Sequence, residues 1–169
     1  MSYFKKLTVN KSITLEGSSI SAVETSIYVP ELGILLDAGR DPEICVDHVF
    51  ITHSHIDHTG GLSKMLIIKP ENDKIVQIYT PKEISDNCTQ YITNTLNFSK
   101  SNHRDSYDYF KVYGKLPEET FEIITTTKKQ LQVSVIKCFH SVPCVGYGFS
   151  EKRKKLKEQY KGLENSEIG

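Results

Sequence analysis

Three histidines and one aspartate fall within six residues of this 169-residue chain. They are His53, His55, Asp57 and His58, and they form the pattern HxHxDH. Side chains two positions apart in an extended stretch share one face, so His53 and His55 can point the same way from the end of a strand. Imidazole nitrogens and carboxylate oxygens are the ligands that zinc and similar ions take in proteins. The pattern therefore predicts a metal site, and its four donors can serve parts of two adjacent ions.

The residues on either side of the pattern decide between this prediction and a plain solvated loop. An apolar stretch at 46–52 precedes the histidines, and Thr59-Gly60-Gly61-Leu62 follows them. A buried strand that ends in a tight turn is a suitable support for a metal site, and it is less suitable for a solvated loop. The context therefore favours metal ligation.

A fourth histidine, His140, follows a second apolar stretch at 133–139 and precedes the segment Ser141–Tyr147. A histidine at the carboxyl end of a strand is well placed to meet the earlier loop. From position alone, metal ligation and capping by a neighbouring carbonyl group are equally good interpretations. The choice between them depends on which fold brings the two stretches together.

A basic run follows shortly after His140. Such a run is suited to contacts with a phosphate backbone, which depend on charge and carry no sequence information. The alternative is an ordinary solvated helix face, which is what most charge runs form. The residues concerned are Lys152, Arg153, Lys154, Lys155 and Lys157.

The elements that must position these side chains are mostly strands in the first half of the chain. Short, β-branched segments predict strands, and a Pro-Glu-Leu-Gly turn separates two of them. The predicted strands lie at 7–15, 20–29, 34–39 and 46–52, with the turn at 30–33. The last of them leads directly into the histidine pattern.

Helices and strands alternate further along the chain. A short helix is expected from about residue 59 to before residue 69, and a longer one from 81 to about 96. Residues 97–108 are polar and predict a loop or a short irregular helix. Further strands are expected at 75–80, 121–127, 131–139 and 146–149, the second and third of these as a hairpin. The order of elements predicts an α/β protein with layered sheets and helices.

The overall composition excludes several classes of protein. The chain has 21 basic and 21 acidic side chains, which excludes a strongly basic, histone-like nucleic-acid binder and an acidic disordered tail. No run approaches the roughly 18 apolar residues of a membrane span. The four cysteines form no CxxC pair, and the first residues lack the apolar core of a secretory signal. We therefore expect a cytoplasmic or nuclear protein.

Together these motifs resemble the ribonuclease Z family, the tRNA 3′-processing endonucleases of the metallo-β-lactamase superfamily. The likeness covers nearly the whole chain and includes more than the HxHxDH pattern. The other matching stretches are 15–20, 24–25, 29–32, Asp37-Ala38-Gly39-Arg40, 139–147, 153–160 and 162–169. The resemblance implies an αβ/βα sandwich, of which this chain holds the first half and part of the second. It also implies a division into a domain at 1–150 and a basic helical tail at 151–169.

The resemblance assigns roles to individual residues. His53, His55 and His140 would hold one zinc ion, and Asp57 and His58 would hold a second. Asp57 would also take part in proton transfer. The substrate implied is precursor tRNA, cleaved at a phosphodiester so that the tRNA keeps a 3′-hydroxyl, with the basic run at 152–157 close to the arm that grips it.

Two of the seven ligands that the family uses are missing. No histidine follows His140 and no aspartate follows Asp108, so the bridging carboxylate and the last histidine are absent. The expectation is a truncated product, one piece of a split enzyme completed by a second polypeptide or a second copy, or a degenerate relative with one ion. A hydrolase of the same superfamily acting on a thioester, a lactam or a cyclic nucleotide is the alternative, as is an inactive RNA- or partner-binding remnant. The missing half also predicts exposed apolar surface on strands 49–51 and 133–139.

Overall fold

The computed structural model describes residues 5–10, 12–41, 44, 46–68, 75–101 and 103–151. These residues form two β-sheets that face each other, with helices on the far side of the larger one. This arrangement confirms the predicted α/β class with layered sheets.

The larger sheet has seven strands in the order of the sequence. The strands pair antiparallel from β1 to β4 and parallel from β4 to β7. They are β1 (Lys5–Asn10), β2 (Ile13–Ile20), β3 (Glu24–Val29), β4 (Ile34–Leu36), β5 (His48–Phe50), β6 (Val76–Pro81) and β7 (Phe110–Lys115).

The helices are inserted between the parallel strands, and the smaller sheet follows. The helices are α1 (Ile56–Thr59), α2 (Leu62–Ile68) and α3 (Ser85–Lys100), the last preceded by a 3-10 turn at Lys82–Ile84. The smaller sheet is antiparallel, in the order β10-β9-β8, with β8 (Thr120–Ile124), β9 (Gln130–Lys137) and β10 (Val145–Glu151).

Alternation along the central strands builds two separate cores. Successive side chains of a strand point to opposite faces of its sheet. Val49 and Ile78 therefore face the core that α2 and α3 cover. Phe50 and Tyr79, one position further along, face the core shared with the smaller sheet. The larger sheet is thus buried on both faces at its centre.

Side chains also alternate along the strands of the smaller sheet, but only one of its faces is buried. Along β9, Leu131, Val133 and Val135 are buried, whereas the side chains between them are exposed. On the outer face, Ile124 is 71% exposed and Ile136 is 51% exposed. The smaller sheet therefore packs its inner face against the larger sheet and leaves its outer face open over the described residues.

Several predicted elements are confirmed and others need correction. The turn at 30–33 is present, with Gly33 at a φ of +63°, and so is the hairpin of β8 and β9. The predicted strand 7–15 is wrong, because the chain turns between β1 and β2, where the Asn10 side chain accepts a hydrogen bond from the Ser12 amide (2.7 Å). The predicted strand 20–29 is likewise broken by a turn at Ala22, which has a φ of 59°.

The helical predictions also shift. The helix expected from about Thr59 begins earlier, at Ile56, and is divided into α1 and α2 by Gly60-Gly61. Helix α3 continues to Lys100, past the predicted end near Leu96, because Leu96 is fully buried and keeps the last turns packed on the sheet. Strand β7 was not predicted, and the basic tail expected at 151–169 lies outside the described residues beyond Glu151.

The expectation of exposed apolar strands is largely wrong. Val49, Phe50 and Ile51 are 0% exposed, because helices cover one face of β5 and the smaller sheet covers the other. Within the second segment, Val133 is also fully buried, whereas Ile136 (51% exposed) and Phe139 (91% exposed) match the expectation.

In the part of the chain that the structure describes, no helix combines the length and the apolar character needed to cross a bilayer.

The packing between the two sheets gives the first prediction. The ring of Phe50 is stacked on Tyr79 at 4.8 Å and meets Tyr147 and Phe149 edge-on at 5.1 and 4.9 Å. Phe50→Ala should lower the free energy of unfolding by about 3–5 kcal/mol, because it leaves a cavity between the sheets. Urea unfolding followed by circular dichroism measures this loss.

Phe98→Ala is the matched control, since Phe98 is 88% exposed on α3. It should change the free energy of unfolding by less than about 0.5 kcal/mol. Equal effects of the two substitutions would contradict the packing of the smaller sheet on the larger one.

Candidate metal centre

Three histidines from distant parts of the chain converge at one edge of the two sheets. One ring nitrogen from each of His53, His55 and His140 lies within 4.8 Å of the other two. The ring centroids are 4.8 Å apart for His53 and His55, 4.5 Å for His53 and His140, and 4.8 Å for His55 and His140. Three imidazoles at this spacing suit a single cation between them. Among the described residues this is the one group of three or more such donors.

The two sheets bring these side chains together. His53 and His55 follow β5 of the larger sheet, and His140 follows β9 of the smaller sheet. The Val145 amide donates to the Thr52 carbonyl oxygen (3.0 Å), and the Tyr147 hydroxyl donates to the Ile51 carbonyl oxygen (3.1 Å). These two bonds fasten the hairpin that carries His140 to the strand end that carries His53.

A buried carboxylate lies behind the histidine loop. Asp37 is 4% exposed and accepts hydrogen bonds from the Thr52 amide (2.8 Å) and the Thr52 hydroxyl (3.0 Å). Its Oδ2 is also 2.8 Å from Nδ1 of His58. A carboxylate only accepts, so this contact places the His58 proton on Nδ1 and leaves the lone pair of Nε2 free.

The aspartate of the motif sits beside that free nitrogen. Asp57 Oδ2 is 3.6 Å from His58 Nε2 and accepts a hydrogen bond from the Ala22 amide (3.1 Å). The ring of His58 is 4.0 Å from that of His53. The structure therefore places Asp57 and His58 next to the three-histidine group as a separate pair of donors.

Two glycines allow the backbones around the motif to approach closely. A Cβ on Gly39 would lie 1.7 Å from the Asp57 carbonyl oxygen, and a Cβ on Gly61 would lie 2.3 Å from the Arg40 carbonyl carbon. Any side chain at either position would displace backbone. The glycines therefore let the 37–41 loop pack directly on α1 and on the turn that follows it.

Burial and neighbouring groups shift the pKa values of two residues of the centre, His53 and Asp37. Burial, and then the neighbouring rings of His58, His140 and His55, lower the pKa of His53 to about 4. Burial raises the pKa of Asp37 above its usual value, although the bonds from Thr52 and His58 oppose this. A neutral imidazole is the form that binds a metal, and His53 is in that form at neutral pH.

The structure describes some of the predicted site residues, whereas others lie outside the described part of the chain. His53, His55 and His140 are brought together as expected, and Asp57 and His58 lie beside them. The basic run (Lys152, Arg153, Lys154, Lys155 and Lys157) lies outside the described residues. Asp37 and Thr52 were not among the predicted site residues, and the one available signal was the Asp37-Ala38-Gly39 ending of an apolar strand.

Comparison with known proteins finds a family model and several relatives that match most of this chain. A family model described as the anti-Pycsar protein Apyc1 matches residues 33–154. Nuclear ribonuclease Z of Triticum aestivum is 29% identical over 162 residues, which cover 91% of this chain and 84% of that protein. tRNase Z TRZ1 of Arabidopsis thaliana is 32% identical over 170 residues, which cover 97% of this chain and 56% of that protein.

A solved structure is similar as well. The crystal structure of human tRNase Z, short form, superposes with a TM-score of 0.50 over 83% of this chain and 57% of that one, at 18% sequence identity. At this identity the match concerns the fold, and it agrees with the two facing sheets described above. The chain spans little more than half the length of the Arabidopsis and human proteins.

The pKa of His53 predicts how the metal-free protein responds to acid. In the unfolded chain His53 takes up a proton near its usual value of 6.5, whereas in the folded chain it does so only at about 4. The contribution of His53 to the free energy of unfolding is therefore fully present above pH 6.5 and is lost as the pH falls towards 4. The unfolding free energy, measured with urea after chelation, should fall more steeply over this range in the wild type than in His53→Asn.

Ser54→Ala is the control, because Ser54 lies on the same loop and does not titrate. It should keep the wild-type dependence on pH. A His53→Asn protein with the same dependence would show that His53 does not titrate as described.

Proposed function

We propose that this chain acts as a metal-dependent endoribonuclease. The chain belongs to the ribonuclease Z family of the metallo-β-lactamase superfamily and to the family whose model is described as the anti-Pycsar protein Apyc1. Its substrate is precursor tRNA, from which the 3′ trailer is removed. The single observation that carries the proposal is the convergence of His53, His55 and His140 from two sheets. The relatives named ribonuclease Z and tRNase Z support the choice of substrate.

The first metal site consists of the three converging histidines. Their three imidazole nitrogens fit zinc, which takes imidazole ligands and leaves a position open in catalytic sites. When bound, such an ion lowers the pKa of water to near 7 and stabilises charge on phosphate oxygens. The chain's own part is to hold the three rings at the edge of the sheets, where His140 is exposed and reachable by a large substrate.

Asp57 and His58 have separate roles in this proposal. The Asp57 carboxylate is the group that holds or moves a proton during hydrolysis, as a positioned general base does. His58 presents Nε2 as a donor for a second ion, and Asp37 orients it through Nδ1 (2.8 Å). A carboxylate behind a ligating histidine is the usual way in which such a ring is held.

A second zinc ion needs donors that these 169 residues lack. No histidine follows His140 and no aspartate follows Asp108. We propose that a further stretch of polypeptide supplies them, in a longer chain or in a partner, and that the chain by itself holds one ion. The open outer face of the smaller sheet supports an unfinished layer there, since Ile124 and Ile136 are exposed on it.

The basic run completes the proposed substrate contacts. Lys152, Arg153, Lys154, Lys155 and Lys157 directly follow β10, as a short tail distinct from the domain at 1–150. The chain as a whole has no net charge, so attraction of RNA must come from such a local cluster. A cytoplasmic or nuclear location completes the proposal, and it is supported by a relative named nuclear ribonuclease Z.

A second candidate is a hydrolase of the same superfamily with another substrate, such as a thioester, a lactam or a cyclic nucleotide. One observation favours it: the family model that matches residues 33–154 is named for a different protein from the ribonuclease Z relatives. An inactive RNA-binding or partner-binding protein is the third, and it is favoured by the missing ligands alone.

Cleavage of a 3′-extended precursor tRNA, with and without added zinc, tests the proposal. Zinc should restore cleavage to the chelated protein when the polypeptide that supplies the remaining donors is present. His55→Ala should abolish both zinc uptake by this chain and cleavage, because one of three ligands is lost. His103→Ala is the matched control, since His103 is exposed in the loop after α3. Zinc content is measured by atomic absorption and cleavage by gel electrophoresis.

Each alternative has its own outcome in this experiment. Unchanged zinc content in His55→Ala would contradict the metal assignment. Hydrolysis of a thioester, a lactam or a cyclic nucleotide without tRNA cleavage would support the second candidate. Salt-dependent binding of precursor tRNA without cleavage would support the third.

The contact of Asp37 with Thr52 gives a further prediction. Asp37 accepts a hydrogen bond from the Thr52 hydroxyl (3.0 Å), and the oxygen of that hydroxyl is 2.9 Å from Nδ1 of His53. Asp37→Asn weakens this support behind a ligating ring, so the zinc affinity of the three-histidine site should fall by about 10–100-fold. Competition with a chelator measures this affinity. Asp105→Asn, at an exposed position, should leave it unchanged, and an equal fall in both variants would show that Asp37 has no specific role.

A further inference from the structure

Two cysteines lie on either side of the loop that carries His140. Cys138 directly follows β9 and is exposed, and Cys144 directly precedes β10 and is half-buried. Neither has a role in the proposed hydrolysis. Their position gives them a connection with the metal centre, because the loop between them contains His140.

The register of the hairpin sets these two residues opposite each other. In the last pair of the β9–β10 ladder, Lys137 faces Val145. The next residues outward are Cys138 and Cys144. Side chains directly opposite each other on antiparallel strands have Cβ atoms about 4.5–5.5 Å apart, and a disulfide needs about 3.5–4.5 Å. A small approach of the two side chains is enough to meet this requirement.

Residues opposite each other in an antiparallel pair share one face of the sheet. Gly146 leaves space for Cys138 on this face, since a Cβ there would lie 3.3 Å from the Cys138 sulfur. Burial, and then the neighbouring Cys138 thiol, raise the pKa of the Cys144 thiol. The third described cysteine, Cys88, lies on α3 in the other layer, and burial raises the pKa of its thiol to about 12.

We propose that Cys138 and Cys144 form a disulfide when the protein meets a peroxide. The exposed Cys138 sulfur attacks the peroxide oxygen, which gives a sulfenic acid and releases water or an alcohol. The Cys144 sulfur then attacks the Cys138 sulfur, and the departing hydroxide takes the Cys144 proton to form water. Two thiols are oxidised and one peroxide is reduced, so the step is balanced.

The bond would close a short loop with His140 near its centre. The two ends of the loop can then no longer separate, which reduces the conformations open to residues 139–143. On the proposed function, this holds His140 opposite His53 and His55 and retains the metal. The disulfide itself does not depend on that function.

Peptide mass spectrometry of the wild-type, zinc-free protein tests the pairing. Trypsin cuts after Lys137 and Lys152, so one fragment, 138–152, contains both cysteines and no others. After treatment with hydrogen peroxide, this fragment should lose the mass of two hydrogen atoms and regain it on reduction. Its alkylatable thiols should fall from two to none, whereas the Cys88 fragment should keep its thiol.

The variant Cys144→Ser and hydrogen exchange complete the test. In Cys144→Ser the same fragment should gain oxygen instead of losing hydrogen, because Cys138 has no partner. In the wild type, the amides of residues 139–142 should exchange at least about threefold more slowly after oxidation. A fragment that gains oxygen in the wild type, a disulfide between two chains, or unchanged exchange would overturn the proposal. None of these readouts uses RNA or zinc, so a failure of the disulfide proposal can be distinguished from a failure of the nuclease proposal.

Discussion

The buried carboxylate of Asp37 holds together the segments of the larger sheet that carry the residues of the metal centre. A carboxylate inside a protein is costly unless hydrogen bonds satisfy it. Here the donors are the Thr52 amide and hydroxyl and the His58 ring. Thr52 precedes the HxHxDH motif and His58 ends it. One buried group therefore fixes both ends of the six-residue stretch, and the rings between them have little freedom.

The smaller sheet supplies His140, the third histidine of the metal centre, which the larger sheet does not carry. His140 reaches the other histidines because the β9–β10 hairpin is hydrogen-bonded to residues 51 and 52 and packed on Phe50 through Tyr147 and Phe149. The same contacts therefore stabilise the fold and assemble the site. A change that loosens the two sheets would move His140 away from His53 without altering any ligand, so stability and metal affinity are coupled in this protein.

The sequence was most informative where a function depends on neighbours along the chain. The HxHxDH spacing predicted a metal site. The role of His140 was predicted only through the resemblance to the ribonuclease Z family, because its position alone left capping by a carbonyl group equally possible. Asp37 was not predicted as a site residue, because its partners, Thr52 and His58, lie 15 and 21 positions away and only the fold reveals the contact. The break between β1 and β2 was missed because it depends on the Asn10 side chain, and β7 was missed because residues 110–115 have a polar, glycine-containing sequence.

Crowding of the rings explains why a metal ion suits this edge of the sheets. The centroids of four histidine rings lie only 4.0–4.8 Å from that of a neighbouring ring, and protonating one places a positive charge beside the others. Burial, and then this crowding, lower the pKa of His53 to about 4. At neutral pH the ring carries no proton that a metal must displace, so binding at this position costs no proton release. The arrangement that excludes a proton from His53 therefore keeps its lone pair available for a cation with higher charge.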